Sequence, residues 1–108
     1  MPREDRRIIF SNDEVYSALC TLYNQREMRA LPVGKIITSG VDAEDPTMLF
    51  FVLENPTEDT HAKVEHNRDF VAAALMLFCR GCGIPLPRNS KKAVMLQDGT
   101  VFLRVQIG

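Results

Sequence analysis

Two cysteines and two histidines are the residues of this sequence with the most specific chemistry. Cys79 and Cys82 are separated by two residues, a spacing used by dithiol redox sites and by zinc sites. His61 and His66 precede them, and twelve residues (67–78) separate His66 from Cys79. Thiolates and imidazoles are the usual ligands of structural zinc. One hypothesis is therefore a zinc-stabilised module built on these four residues.

The placement of the same residues argues against a bound metal or an active dithiol. His61 and His66 are five apart in a predicted strand, so their side chains point to opposite faces of the sheet. The cysteine pair stands at the end of a predicted helix, where the helix dipole disfavours a thiolate. We therefore expect no cofactor, with Cys79 in the core, Cys82 as a free thiol and both histidines exposed. Cys20 makes a total of three cysteines, and this odd number predicts reduced thiols rather than a disulfide framework.

Four basic residues form the densest cluster of positive charge in the sequence: Arg80, Arg88, Lys91 and Lys92. They surround a linker, residues 83–92, whose glycines and prolines leave backbone groups exposed. Such a cluster suits a phosphate, a nucleic-acid backbone or an acidic protein surface. The simpler interpretation is a solvated loop whose lysines protect the first residues of an edge strand. The whole chain carries 13 basic and 14 acidic residues, so no general affinity for nucleic acid is expected.

No catalytic arrangement can be identified in the sequence. It contains no G-x-S-x-G, no H-E-x-x-H, no phosphate-binding P-loop and no G-x-G-x-x-G. The acidic pairs at 44–45 and 58–59 lie in predicted turns, where carboxylates are normally solvated. Two histidines leave little room for acid–base chemistry. We therefore expect a protein that binds rather than catalyses.

Two helices are predicted from their start signals and their apolar spacing. Ser11 and Glu14 have the spacing of a capping box, and apolar residues follow at intervals of three and four, which predicts a first helix over about 12–28. Asn67 is a favourable N-cap for a second helix over about 68–80. This second helix is apolar almost all round and ends near two glycines, which predicts that it lies buried at the centre of the fold.

The remaining segments predict an antiparallel sheet. The strands are expected at 6–10 (a short strand or an ordered lead-in), 33–40, 47–54, 60–66, 92–97 and 100–107. The middle three form a meander, and Asp98-Gly99 joins the last two in a tight hairpin. The predicted fold class is α+β: an antiparallel sheet, made of the three-strand meander and the C-terminal hairpin, with two helices packed on one face.

Two resemblances to known domains follow from this order of elements. Helix, three strands and helix is the order of a double-stranded-RNA-binding domain, in which the start of the second helix is rich in lysine. The corresponding residues here, 65–69, are nearly balanced in charge, so this resemblance extends to topology alone. The last third of the chain, from the end of the second helix through 84–88 to the terminal hairpin, resembles small bacterial domains of unknown activity. That resemblance implies no site residue.

Length and composition predict one domain over 1–108, with residues 1–5 flexible. The longest apolar run, 70–79, has about half of the roughly 20 residues that a membrane span needs, and no signal-peptide core is present. We therefore expect a cytoplasmic protein of bacterial type, without membrane contact. The favoured function is a non-catalytic interaction or adaptor module that binds an unidentified protein partner through 83–92 and the meander turns. We also consider a homodimer in which the C-terminal strand 100–107 pairs at a sheet edge, and binding of nucleic acid or another anion to the basic cluster.

Overall fold

The computed structural model describes residues 3–107, and this part of the chain contains two helices and six strands. In chain order the elements are β1 (Glu4–Phe10), α1 (Asn12–Gln25), β2 (Lys35–Val41), β3 (Met48–Asn55), β4 (Thr60–Asn67), α2 (Arg68–Gly81), β5 (Lys91–Gln97) and β6 (Thr100–Ile107). The predicted α+β class is confirmed, as are the meander β2–β3–β4 and the hairpin β5–β6.

The strands form two antiparallel sheets that adjoin each other. One has the order β1-β6-β5, and the other is the meander β2-β3-β4. β5 and β2 touch without sharing a ladder of backbone hydrogen bonds. Arg68 lies at this junction, where its Nη1 donates to the carbonyl of Val94 at 2.7 Å and its Nε donates to the carbonyl of Pro46 at 2.8 Å. At this point a side chain, rather than a neighbouring strand, satisfies a backbone carbonyl at the β5 edge.

Both helices pack against one face of the sheets and run antiparallel to each other. Phe10 before α1 contacts Phe78 near the end of α2, and Tyr23 near the end of α1 contacts Phe70 at the start of α2. The strand residues that face the helices alternate along β3 and β6. They are Leu49, Phe51, Leu53, Val101, Leu103 and Val105, all buried in one core. None of the helices in residues 3–107 has the length and apolar content needed to cross a membrane.

The opposite face of the sheets carries two aromatic rings that cations cover. Phe102 in β6 is 6 % exposed although it lies outside the core, and the guanidinium of Arg7 lies 5.2 Å from its ring centroid. Phe50 in β3 lies over Gly40, and the ammonium of Lys63 is 4.9 Å from its ring centroid. A Cβ atom at position 40 would fall 2.4 Å from the Phe50 ring, so any larger residue there would displace this ring. Each cation shields apolar surface that the helices do not reach.

The first helix ends at Gln25, three residues before the predicted boundary at residue 28. Glu27 adopts a φ of 53°, in the left-handed region. The amide of Met28 then donates to the carbonyl of Tyr23 at 2.9 Å, which closes the helix end. Sequence signals did not reveal this end, because a left-handed residue at a helix terminus is usually a glycine.

β6 is the central strand of its sheet, so the prediction of an exposed C-terminal edge strand is wrong. β1 pairs with it along one side and β5 along the other. A homodimer through an edge of residues 100–107 is therefore excluded, because both sides of the strand already carry ladders. Glu4 and Asp5, within the stretch expected to be flexible, belong to β1, while Met1 and Pro2 lie outside the described residues.

Candidate functional site

A concavity of about 480 Å³ opens where α2 runs into the linker to β5, and we call it the linker pocket. It is lined by Arg80, Gly83, Ile84, Pro85, Leu86 and Arg88. Its volume lies within the roughly 300–1,000 Å³ of pockets that hold small ligands. Two cations and an apolar wall therefore face one space.

The end of α2 directs the chain into this pocket. Gly83 adopts a φ of 72°, a left-handed conformation that favours glycine. The amide of Ile84 donates to the carbonyl of Cys79 at 2.8 Å, which closes the helix and turns the chain away from its axis. Arg80 is exposed in the last turn of α2, so it borders the linker that follows.

Two cations hold the linker by its carbonyl groups. Arg6 donates from Nη2 to the carbonyl of Pro85 at 3.1 Å. Lys92 donates from Nζ to the carbonyl of Pro87 at 2.8 Å, and the hydroxyl of Ser90 donates to the same oxygen at 2.6 Å. Because these contacts fix the linker, the exposed side chains that it carries are held in place relative to α2.

Arg6 is a further residue of the site, and it was not among those predicted. Arg6, Ile8 and Phe10 are every second residue of β1, so their side chains lie on the same face, and Ile8 and Phe10 pack against the core. A charged residue on such a row needs a specific partner, and this pattern is the signal by which it could have been found. Its Nε is buried without an acceptor in residues 3–107. One buried donor beside the linker is therefore left without a partner among the described residues.

The structure divides the four basic residues predicted for this site. Arg80 and Arg88 are exposed and line the linker pocket together. Lys92 is bound to the linker carbonyls. Lys91 is its neighbour in β5, so its side chain points to the opposite face of the sheet. Two of the predicted residues line the pocket, one supports the linker, and one lies away from the pocket.

Neighbouring carboxylates do not neutralise the positive charge around the pocket. Arg6, Arg80, Arg88 and Lys92 form no ion pair within residues 3–107. A cluster of like charges in a concave surface raises the local potential and attracts anions. A guanidinium is a planar fork of donors that matches a carboxylate or a phosphate. The apolar wall beside it suits an aliphatic side chain next to the anionic group.

The structure separates the four residues of the zinc hypothesis. Cys79 is fully buried in the core, whereas Cys82 is exposed at the end of α2. His61 and His66 alternate in exposure along β4, and Cys79 lies about 18 Å beyond His66 along the axis of α2. Burial raises the pKa of the Cys79 thiol, and Cys82 and Glu14 raise it further, so the thiol is held in its neutral form. Residues 3–107 contain no cluster of three or more His, Cys, Asp or Glu side chains arranged for a metal ion.

An aromatic cluster joins β4 to both helices at the other end of the helix pair. The ring of His66 stacks on Phe70 with 4.1 Å between centroids, and its Nε2 is hydrogen-bonded to the hydroxyl of Tyr23. His66 is therefore half-buried rather than exposed as predicted, because its row of β4 faces the helices. Burial lowers the pKa of His66, and burial with a smaller effect of Cys20 raises the pKa of Tyr23. Both side chains are accordingly favoured in their neutral forms at neutral pH.

The linker pocket brings positive charge and apolar surface together. Its described lining consists of cations and apolar groups, with no carboxylate or histidine to move a proton. The arrangement can bind and orient an anionic group that lies beside an apolar one. Comparison of the chain with protein-family models, with curated proteins and with solved structures finds no match.

Proposed function

We propose that this protein is a non-catalytic interaction module that binds an acidic side chain of a partner protein in the linker pocket. The observation that carries the proposal is the pairing of Arg80 and Arg88 in one concavity, neither of them in an ion pair within residues 3–107. A hydrogen bond to a charged group contributes about 1.5–3 kcal/mol. Two such arginines give the pocket a preference for an anion over a neutral group of the same shape.

The lining favours a protein partner over a nucleic acid. Ile84 and Leu86 supply apolar surface, which suits an aliphatic side chain beside the acidic group. A nucleic-acid backbone is bound by several cations spaced along its phosphates. Lys91 lies on the other face of β5, and Lys92 is engaged with the linker. The basic surface is therefore compact, and it matches a single acidic side chain.

The test uses a short fluorescein-labelled peptide with the centre Leu-Glu-Leu, and the same peptide with Gln in place of Glu. Fluorescence polarisation compares the wild-type protein with the variants Arg80→Ala, Arg88→Ala and Lys91→Ala. Each arginine variant is expected to weaken binding of the Glu peptide about tenfold or more, since one charge-assisted hydrogen bond is lost. Lys91→Ala removes the same charge outside the pocket and is the matched control, with an affinity expected within about twofold of wild type.

Several results would contradict the proposal. Equal affinities for the Glu and Gln peptides, or no binding at about millimolar peptide, would mean that the pocket recognises no acidic side chain. An equal loss in Lys91→Ala would indicate diffuse charge. Tighter binding of a single-stranded oligonucleotide, falling steeply with salt, would then favour the nucleic-acid alternative. A melting temperature that a chelator lowers would favour the zinc-stabilised module.

A further inference from the structure

A second concavity, of about 210 Å³, lies between α1 and α2, and we call it the helix groove. It is lined by Leu22, Gln25, Arg26, Ala73, Met76, Leu77 and Arg80. Arg80 also lines the linker pocket, so the two concavities adjoin at this side chain. A ligand that occupies the linker pocket can therefore continue between the helices.

The α2 residues of the helix groove form one stripe. Positions 73, 76, 77 and 80 have the spacing of three and four that aligns side chains along one face of a helix. Over seven residues this stripe is about 10 Å long. Its apolar members are only half-buried, and the buried Leu22 of α1 lies beneath them. The helix groove thus presents apolar surface that the fold itself leaves uncovered.

Arginines stand at both ends of the helix groove. Arg26 follows α1 beside the start of α2, where its guanidinium lies 5.2 Å from the ring centroid of Phe70. The same ring stacks on His66, so the position of Arg26 is set by a packed cluster. Arg80 stands in the last turn of α2, and Arg88 follows in the linker pocket. The described lining of the two concavities includes no carboxylate.

We propose that the helix groove and the linker pocket together hold one segment of a partner protein in which acidic residues flank a short apolar stretch. This inference rests on the proposed function and names its ligand. The order cation, apolar surface, cation along the groove is complementary to acid, apolar residues, acid along a peptide. An extended peptide rises about 3.3 Å per residue, so about three apolar residues span the 10 Å stripe between the two acidic positions.

A second copy of this chain fits the groove less well than a different, acidic protein. In a two-fold interface the same patch meets itself, so Arg26 and Arg80 of one copy would approach the same cations of the other. Like charges brought together at an interface oppose association. An acidic segment meets no such repulsion and also covers the apolar stripe.

Two fluorescein-labelled peptides test this inference. The long peptide has a pair of Glu residues at each end of a Leu-Ala-Leu centre, and the short peptide keeps one Glu pair and one Leu. Arg26→Ala is expected to weaken binding of the long peptide about tenfold and to leave the short peptide unchanged, because only the long peptide reaches both ends of the groove. Arg88→Ala is expected to weaken both. Arg29→Ala removes an exposed charge outside the groove and is the matched control.

Gln25→Glu gives a second readout that leaves the stack of Arg26 on Phe70 intact. Gln25 is exposed and lines the helix groove, so this substitution adds a negative charge without removing a packed side chain. The long peptide should bind severalfold more weakly to this variant, and the difference should shrink at high salt. Circular dichroism verifies that each variant is folded before its affinity is compared.

The outcomes distinguish the two proposals. If Arg88→Ala weakens both peptides while Arg26→Ala and Gln25→Glu leave the long peptide unaffected, the helix groove is not part of the site and the linker pocket remains. If the long peptide binds wild type no better than the short one, the inference is likewise overturned. If only the groove variants have an effect, the proposed function fails at the linker pocket. If no variant has an effect, both proposals fail.

Discussion

Replacement of Arg68 by methionine is expected to destabilise the junction between the two sheets. The guanidinium of Arg68 donates to the carbonyl of Val94 at 2.7 Å and to that of Pro46 at 2.8 Å. Methionine retains an aliphatic stem but donates no hydrogen bond. The backbone amide of residue 68 still donates to the carbonyl of Thr47, at 2.9 Å in the wild type, so the variant tests the side chain alone.

The size of the loss follows from the two hydrogen bonds. A hydrogen bond from a charged donor contributes about 1.5–3 kcal/mol to the free energy of unfolding. Each of these two hydrogen bonds should contribute at or below the lower end of this range, because Arg68 is half-buried and Pro46 is exposed. The expected loss in the free energy of unfolding for both together is about 2–3 kcal/mol. In a domain of about 100 residues each kcal/mol changes Tm by about 4–8 °C, so a loss of about 2–3 kcal/mol should lower Tm by about 8–24 °C. Arg68→Lys keeps the charge without the forked geometry, and its loss should be intermediate.

Urea unfolding followed by circular dichroism measures the free energy of unfolding of these variants. The control is Arg29→Met, because Arg29 is exposed, and a change within about 0.5 kcal/mol is expected there. A loss below about 0.5 kcal/mol for Arg68→Met would refute the reasoning. The packing of β2 against β5 would then hold the sheets together without this side chain.

Two further predictions concern the stability of single positions. Burial lowers the pKa of His66 in the folded protein below its unfolded value of about 6.5. The contribution of neutral His66 to the free energy of unfolding is therefore fully present above about pH 6.5, and it is lost as the pH falls through the folded-state pKa. Between about pH 7.5 and pH 5, urea unfolding should therefore show a larger decrease in the free energy of unfolding for wild type than for His66→Gln. Equal decreases in the two proteins would contradict this prediction. Glu27→Gly should raise the free energy of unfolding by about 0.5–1 kcal/mol, because the φ of 53° is strained for a residue with a Cβ atom. A decrease in the same measurement would count against strain at this helix end.

Features that depend on neighbouring residues were predictable from the sequence. The capping box of Ser11 and Glu14 is present, and Asn67 caps the second helix through its side chain. Asp98 and Gly99 have φ values of 52° and 76°, as a tight hairpin with two left-handed residues requires. Each of these features involves atoms only a few residues apart, so the local pattern is sufficient to predict it.

The candidate site was predictable only in part. Arg80 and Arg88 flank the same linker in the sequence, and they line the same pocket in the structure. Lys91 and Lys92 belong to the same cluster, but they have different roles because adjacent residues of a strand point to opposite faces. The position of β5 in its sheet decides whether Lys91 or Lys92 points towards the linker. The sequence of the cluster carries no information on that position.

Arg6 and Arg26 join the site through contacts that only the folded chain makes. Arg6 reaches the linker because β1 pairs with the last strand, where it lies opposite Val105. Arg26 borders the helix groove because α1 packs antiparallel to α2, beside Phe70. The sequence by itself determined the elements, their buried faces and their turns. Tertiary packing alone decided the neighbours of each element, because hydrophobic periodicity specifies which face is buried and not which distant segment covers it.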